Sequence, residues 1–238
     1  MKDILKIMRF DLLTAKPLAL AGFIVTAVMC FSLSLFFAPL INSYITFGAM
    51  IFVIPLQSVA DKSGFNKLYG ILPVKRGNIT RARFLYIFLV HFICEVIEIA
   101  FALIAFTLKL NRLLPDDNAA LREFIGDAFS DKVNCFTMIV AVFLILCLLF
   151  AYMEMMGQIF GRENEMKIIL ITLAVLTVVL VAFFMLSERD IIPTLKLPEL
   201  PSTAEEMIKL GIALNIVMVA LCVIFGEITV NRLAKREL

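Results

Sequence analysis

Three ionisable side chains lie inside one apolar stretch of the chain: His91, Glu95 and Glu98. Spacings of four and three residues place this polar patch along one face of a helix. An ionisable group near the middle of a membrane costs about 2.5 to 3.5 kcal/mol on insertion scales, so we expect the face to point into protein or water. Two interpretations stay open: the patch lines a translocation path or binds a proton, or its carboxyls are protonated or bonded to neighbouring helices and hold the bundle together.

The composition requires the apolar stretches to lie in a membrane. Hydrophobic residues make up 62% of the 238 residues, charged residues 18%, and the mean hydropathy is +0.99, which excludes a soluble domain. Crossing a hydrocarbon core of ~30 Å takes about 20 helical residues. Six stretches are long enough, and they predict an all-α polytopic membrane protein that forms a single domain over 1–238. The predicted spans are Leu18–Phe37, Leu40–Ala60, Phe84–Leu108, Cys135–Gly157, Lys167–Ser187 and Met207–Asn231.

The Lys and Arg residues are unevenly divided between the loops. Under alternating topology, fifteen of the 22 fall on one side and seven on the other. By the positive-inside rule we expect both termini in the cytoplasm, outer loops at 109–134 and 188–206, and a location in the plasma membrane.

The first seventeen residues are expected to form an interfacial helix over 1–17. Apolar residues share one face and basic residues the other: Ile4, Leu5, Met8 and Leu12 against Lys2, Lys6, Arg9 and Lys16. A solvated tail with accidental periodicity is one alternative, and a cleaved signal peptide is the other. The signal peptide is disfavoured because the apolar run that follows is longer than a signal core, and no small-x-small cleavage site follows that run.

No catalytic constellation accompanies these spans. The five cysteines, Cys30, Cys94, Cys135, Cys147 and Cys222, lie in or beside apolar stretches without a CxxC pair, so we expect packing residues rather than disulfides or zinc ligands. A single histidine excludes metal sites that need two. Neither a G-x-S-x-G nor a Walker A sequence occurs. We therefore predict no catalytic residue, no metal and no cofactor in this chain.

Several helix ends carry local signals. Glu154 and Glu227 fall near the predicted inner ends of their helices, where snorkelling or a basic partner can satisfy them. Ser202 with Glu205 three residues later is a capping-box pattern, so the last helix is expected to begin near Thr203. In the first outer loop, apolar residues at helical spacing over 121–128 predict a short amphipathic helix.

The loop at 61–83, between the second and third spans, has more detail than a linker needs. It carries six Lys or Arg. Its apolar residues recur at i, i+3, i+4 and i+7 and predict a short helix that Pro73 ends: Phe65, Leu68, Tyr69 and Leu72. A new helix is expected to begin at Asn78, a good N-cap. The loop is either a docking element for a soluble partner or a generic positive-inside loop with a turn.

The run LYGILPVKRGNITRARFL, Leu68 to Leu85, resembles the LP-V-[SK]-R-x-x-I-x-x-[AS]-[KR]-[YF]-L pattern of membrane subunits of the ABC type-2 exporter family. The matching residues are Leu72, Pro73, Val74, Lys75, Arg76, Ile79, Ala82, Arg83, Phe84 and Leu85. The predicted plan of an amphipathic N-terminal helix, six spans and inner termini is similar too. Over the rest of the chain the likeness is one of topology and hydrophobicity.

The resemblance implies a permease without catalysis of its own. In that family two such subunits, identical or paralogous, combine with two ATP-binding subunits that hold ATP and Mg²⁺, and they export a substrate. The loop would contain the coupling helix, with the inner loop from Gln158 to Met166 as a subsidiary contact. Docking of the ATPase would use Phe65, Lys67, Leu68, Tyr69, Leu72, Pro73, Lys75 and Arg76.

The resemblance further implies membrane lipid but no nucleic acid as a partner, and a hydrophobic, peptide or lipid-like substrate. An alternative from the residues alone is a proton-coupled secondary transporter that uses Glu95 and Glu98 and needs no ATPase. A membrane anchor or scaffold subunit is a more distant third.

Overall fold

The computed structural model describes residues 3–9, 13, 24, 75–108, 132–188 and 201–235. Almost all of these residues are helical and none of them is in a strand, so the predicted all-α class is confirmed. The four long helices are α1 (Arg76–Leu108), α2 (Lys132–Phe160), α3 (Arg162–Glu188) and α4 (Ala204–Ala234). The first two predicted spans, apart from Ile24, and the amphipathic helix predicted over 121–128 lie outside the described residues.

Three of these helices are long and apolar enough to cross a membrane. The crossing segments are Gly77–Leu108, Cys135–Phe160 and Ala204–Ala234, and α3 contains a shorter apolar segment, Lys167–Val179. The chain is therefore a membrane-embedded protein. The three segments coincide with the third, fourth and sixth predicted spans, and the full number of six stays a prediction.

Helices α1, α2 and α4 pack against one another, and α3 packs on α2. Helix α1 runs antiparallel to its two neighbours: Arg81 near its start contacts Glu227 near the end of α4, and Phe106 near its end lies 6.0 Å from the Phe136 ring near the start of α2. The end of the bundle that carries Arg81 and Glu227 is called the basal end below. The most buried apolar side chains of this core include Phe84, Phe143, Cys147, Phe150 and Ala151.

Four of the five predicted packing cysteines lie among the described residues, and all four are buried. Cys94, Cys135, Cys147 and Cys222 are buried and form no disulfide among the described residues. Cys30 lies outside them.

Helix α1 begins earlier than expected. The predicted N-cap was Asn78, but the helix starts at Arg76, and the Asn78 backbone N–H donates to the carbonyl of Lys75 at 2.8 Å. Asn78 therefore belongs to the first turn. Its side-chain oxygen accepts a 3.4 Å hydrogen bond from Arg81 instead of capping the helix.

The predicted start of α4 near Thr203 is confirmed, but the capping residues are shifted by one. Thr203 is the N-cap, and its hydroxyl accepts the Glu206 N–H at 3.3 Å. The Glu206 carboxylate accepts the backbone N–H of Ser202 at 3.0 Å. The expected partner, Glu205, binds Lys209 at 2.6 Å. Both acidic residues still lie in the first turn, where a carboxylate is favoured by the helix dipole.

The connection between α2 and α3 is a single residue, Gly161, so the inner loop predicted from Gln158 to Met166 is wrong: its other residues belong to the two helices. Gly161 has a φ of 89°, its N–H donates to the Gly157 carbonyl at 3.0 Å, and its carbonyl accepts the Asn164 N–H at 3.1 Å. The residue thus ends α2 and caps α3. Gly157 and Gly161, whose small-xxx-small spacing is also found where membrane helices approach closely, are joined here by the turn.

We expect Gly161→Ala to lower the free energy of unfolding by about 1 kcal/mol, because an L side chain is strained at a positive φ. Steric contact is not the cause, since among the described residues an added Cβ meets only the Glu163 Cγ, at an ordinary 3.9 Å. Thermal unfolding in detergent, followed by circular dichroism, measures the effect. Gly161→Asn should lose less, because Asn tolerates the left-handed region. Equal losses in the two variants would contradict the backbone explanation.

Residues 3–9 form a helical segment that packs on the basal end of α1. Ile7 is 5% exposed and clusters with Ile79 and Ala82 of α1. The packed side of the segment consists of Ile4, Ile7 and Met8. The predicted apolar face included Leu5, which is 57% exposed, and omitted Ile7. Leu12 lies outside the described residues, and the interfacial position of this helix stays a prediction.

Candidate functional site

The polar patch lies inside the helix bundle. His91, Glu95 and Glu98 of α1 are 2%, 4% and 1% exposed. The His91 ring lies 5.3 Å from the Phe150 ring of α2, and Glu95 accepts a 3.1 Å hydrogen bond from the amide of Asn215 on α4. This confirms that the polar face of α1 points into protein, as its insertion cost requires.

Two atoms at the patch have no hydrogen-bond partner within the described structure. His91 Nδ1 lies 2.8 Å from the Ile87 carbonyl, and because a carbonyl only accepts, the proton is on Nδ1. His91 Nε2 is buried without a partner, and so is Asn215 Oδ1, whose amide nitrogen bonds both Glu95 and the Gly211 carbonyl. The patch therefore keeps unused hydrogen-bonding capacity beyond the contacts that hold the helices together.

A groove of about 450 Å³ opens beside the patch between α1, α2 and α4. Glu95 and Asn215 are the polar side chains among the residues that line it. Its apolar walls include Phe88, Phe92, Val140, Ile208, Ile212 and Ile216. The combination of a largely apolar cleft with a few convergent polar groups is typical of small-molecule sites.

Sequence reasoning did not single out Asn215. An amide side chain in the middle of an apolar span, Met207–Asn231, was the available signal, because polar residues within membrane helices usually hydrogen-bond across to another helix.

A second polar region lies at the basal end, where α1 is bound to both neighbours. Arg81 makes a bidentate contact with Glu227 of α4, with Nε to Oε1 at 2.6 Å and Nη2 to Oε2 at 2.9 Å. Arg83 reaches Glu154 of α2 at 3.4 Å. Both glutamates thus have the basic partners predicted for them.

Burial differs sharply between the two ion pairs. Arg81 and Glu227 are 40% and 44% exposed, whereas Arg83 and Glu154 are 14% and 2% exposed. Glu154 also accepts a 2.6 Å hydrogen bond from Gln158, and the Gln158 oxygen accepts one from Thr80 of α1 at 3.1 Å. The Arg83 contact therefore belongs to a buried polar network between α1 and α2.

Most of the predicted docking residues lie outside the described residues: Phe65, Lys67, Leu68, Tyr69, Leu72 and Pro73. Lys75 is exposed directly before α1, and Arg76 is the first residue of that helix. Among the other residues of the family-like pattern, Ile79, Ala82 and Phe84 are buried. The second half of the pattern is thus the packed start of α1.

Within the described ranges no group of three His, Cys, Asp or Glu side chains is placed to hold a metal ion. No family model matches the chain, and no curated protein or solved structure matches it either. The class that the fold and the site define is an all-α, membrane-embedded protein with a buried polar patch beside an apolar groove.

Proposed function

We propose that this chain is the permease subunit of an ATP-driven exporter of the ABC type-2 kind. Its partners are two copies of a soluble ATP-binding subunit, which hold ATP and Mg²⁺, and a second permease chain, identical or paralogous. The protein lies in the plasma membrane with six spans, both termini and the loop 61–83 in the cytoplasm. It exports a hydrophobic, peptide or lipid-like substrate and has no ATPase activity itself.

The observation that carries this proposal is the position of the family-like pattern at the start of α1. The pattern runs without interruption from the proposed docking loop into the buried residues Ile79, Ala82 and Phe84. Its Arg83 contacts Glu154 of α2, and Arg81, between two pattern residues, contacts Glu227 of α4. A force on the loop would therefore reach α1 at its first residue and pass to α2 and α4 within two turns.

Such an arrangement suits alternating access that is driven by a soluble subunit on the cytoplasmic side. Closure of the ATP-binding subunits would displace the coupling helix, and α1 would carry the displacement to its neighbours through the two arginines. Packed helices respond to such a displacement as rigid bodies that shift or tilt. The groove beside the polar patch would then change its access from one side of the membrane to the other.

The decisive experiment is co-purification of the chain with the ATP-binding subunit encoded beside its gene. We expect a stable detergent complex for the wild type and its loss in Phe65→Asp and Tyr69→Asp, because a charge on the apolar face of the coupling helix cannot be buried against the partner. The amount of ATPase retained per permease, read from a stained gel, is the measurement.

A matched control is Leu5→Asp, which introduces the same charge at a residue that is 57% exposed and lies on the helical segment 3–9. This variant should retain the complex. If no ATPase binds the wild type, or if the two loop variants bind it as well as Leu5→Asp does, the coupling-helix assignment is wrong.

The burial of Glu95 and Glu98 favours a second function, a proton-coupled secondary transporter. Carboxyls that protonate inside a helix bundle are a common basis for proton coupling. This function predicts that transport by the chain alone survives Phe65→Asp and Tyr69→Asp but fails in Glu95→Gln. An ATP-driven permease would instead lose transport in Phe65→Asp and Tyr69→Asp. One transport assay with these three variants therefore separates the two functions.

A further inference from the structure

We infer that the groove between α1, α2 and α4 is a binding site for amphiphilic cations, molecules with an apolar chain and a protonated amine. The inference rests on the proposed function in that it names the substrate class of the permease.

The shape and lining of the groove favour an apolar chain. Its volume of about 450 Å³ is within the range of small-molecule sites, which is about 300 to 1,000 Å³. Phe88 and Phe92 line it from α1, and Ile208, Ile212 and Ile216 line it from α4. The walls offer no hydrogen bond to a polar body, so most of the ligand must be apolar.

The polar groups at the groove select the head group. Glu95 provides a carboxyl, and Asn215 provides a buried carbonyl oxygen that has no hydrogen-bond partner among the described residues. Both accept hydrogen bonds, and no Lys or Arg is among the described residues that line the groove. A protonated amine carries several donors and a positive charge, so it complements both acceptors at once. An alcohol has one donor, and a carboxylate has none.

Gly211 is one of the residues that line the groove. Among the described residues, an added Cβ would come within contact distance of Val140 Cγ2 alone, at an ordinary 3.8 Å. Gly211→Ala is therefore tolerated sterically, whereas Gly211→Leu places a branched side chain where we put the ligand chain.

The absence of tryptophan from the sequence permits a direct test. Ile212→Trp places a single fluorophore on the groove wall, where the native side chain is 58% exposed. Val175→Trp places one on α3 at a residue that is 57% exposed and is not among the residues that line the groove, as a reporter of simple partition into lipid. Both variants go into nanodiscs of phosphatidylcholine and are titrated with 12-bromododecylamine, 12-bromododecanol and 12-bromododecanoate, whose bromine quenches tryptophan on contact.

We expect the amine to quench the Ile212→Trp reporter saturably, at a concentration about tenfold lower than it quenches Val175→Trp, because a charge-assisted hydrogen bond adds at least that factor in affinity. Adding Glu95→Gln to the Ile212→Trp reporter should remove this tenfold difference for the amine. The concentration at which the alcohol quenches should change by no more than about twofold. Glu205→Gln, the same change at an exposed residue outside the groove, should leave all three titrations unaltered. Gly211→Leu should weaken quenching by the amine and the alcohol, and Gly211→Ala should not.

Two results overturn the inference. If amine and alcohol quench equally in both the parent and the Glu95→Gln background, the groove takes apolar chains such as lipid without selecting a cation. If the two reporters respond alike, the groove is not open to ligands, and another part of the chain or a second copy covers it. The experiment contains no ATP-binding subunit. If the quenching titration fails but the ATP-binding subunit co-purifies, the proposed substrate class is wrong and the permease proposal stands. If the titration succeeds but co-purification fails, the groove is a cation site in a transporter of another kind.

Discussion

Arg83→Met is expected to lower the free energy of unfolding by about 3 kcal/mol, the lower end of the effect of removing one partner from a buried ion pair. The substitution keeps most of the apolar stem but removes the guanidinium from Glu154, which is 2% exposed. A carboxylate at that position cannot recover water as its partner. Unfolding in mixed micelles by titration with dodecyl sulfate, followed by circular dichroism, measures the loss.

Arg81→Met is the matched control. The Arg81 contact with Glu227 is shorter, at 2.6 Å against 3.4 Å for Arg83 with Glu154, but both its side chains are at least 40% exposed. Solvent screening limits such a pair to about 1 kcal/mol or less. We further expect Arg83→Met combined with Glu154→Met to be less destabilised than Arg83→Met alone, because the double variant buries no charge. An equal or larger loss in Arg81→Met would show that distance, and not burial, decides the strength of these contacts.

Phe143→Ala is expected to cost about 3 kcal/mol or more, because Phe143 is completely buried in the core that α1, α2 and α4 share. In a membrane the loss does not come from exposure of the ring to water. It comes from the dispersion contacts that the cavity lacks, since helices in lipid associate largely through packing. The same dodecyl sulfate titration measures it.

Phe160→Ala makes the identical change at the end of α2, where the ring is 49% exposed. Its cost should be within about 0.5 kcal/mol, the usual range for surface positions. Similar costs for the two variants would mean that the core packing around Phe143 contributes little to stability.

Hydropathy alone located three of the predicted membrane helices, α1, α2 and α4. A lipid environment forces the backbone to bond within its own segment, so a long apolar run has few alternatives to a helix. Burial of the polar patch followed from the same constraint, because an ionisable face turned toward lipid is too costly. These features depend on the solvent and on one segment at a time. Helices α1, α2 and α4 could therefore be located from their own sequences, without knowing which helices they pack against.

Features that depend on two segments were not predictable in the same way. The bond from Asn215 to Glu95 requires the rotation of α4 about its axis, and nothing in either span specifies that rotation. Ile7 was missed for the same reason, since its burial depends on α1 lying beside the segment 3–9. Asn78 has the local properties of an N-cap, yet the helix begins two residues earlier, at Arg76, and the Asn78 N–H bonds the Lys75 carbonyl.

The two arginines at the base of α1 limit how that helix can move. They are two residues apart, so their side chains leave the helix about 200° from each other, toward different neighbours. Turning α1 about its own axis would pull Arg81 from Glu227 and Arg83 from Glu154 at the same time. The two ion pairs at the base of α1 therefore resist rotation of this helix relative to α2 and α4, and a displacement of the base is passed to both neighbours together.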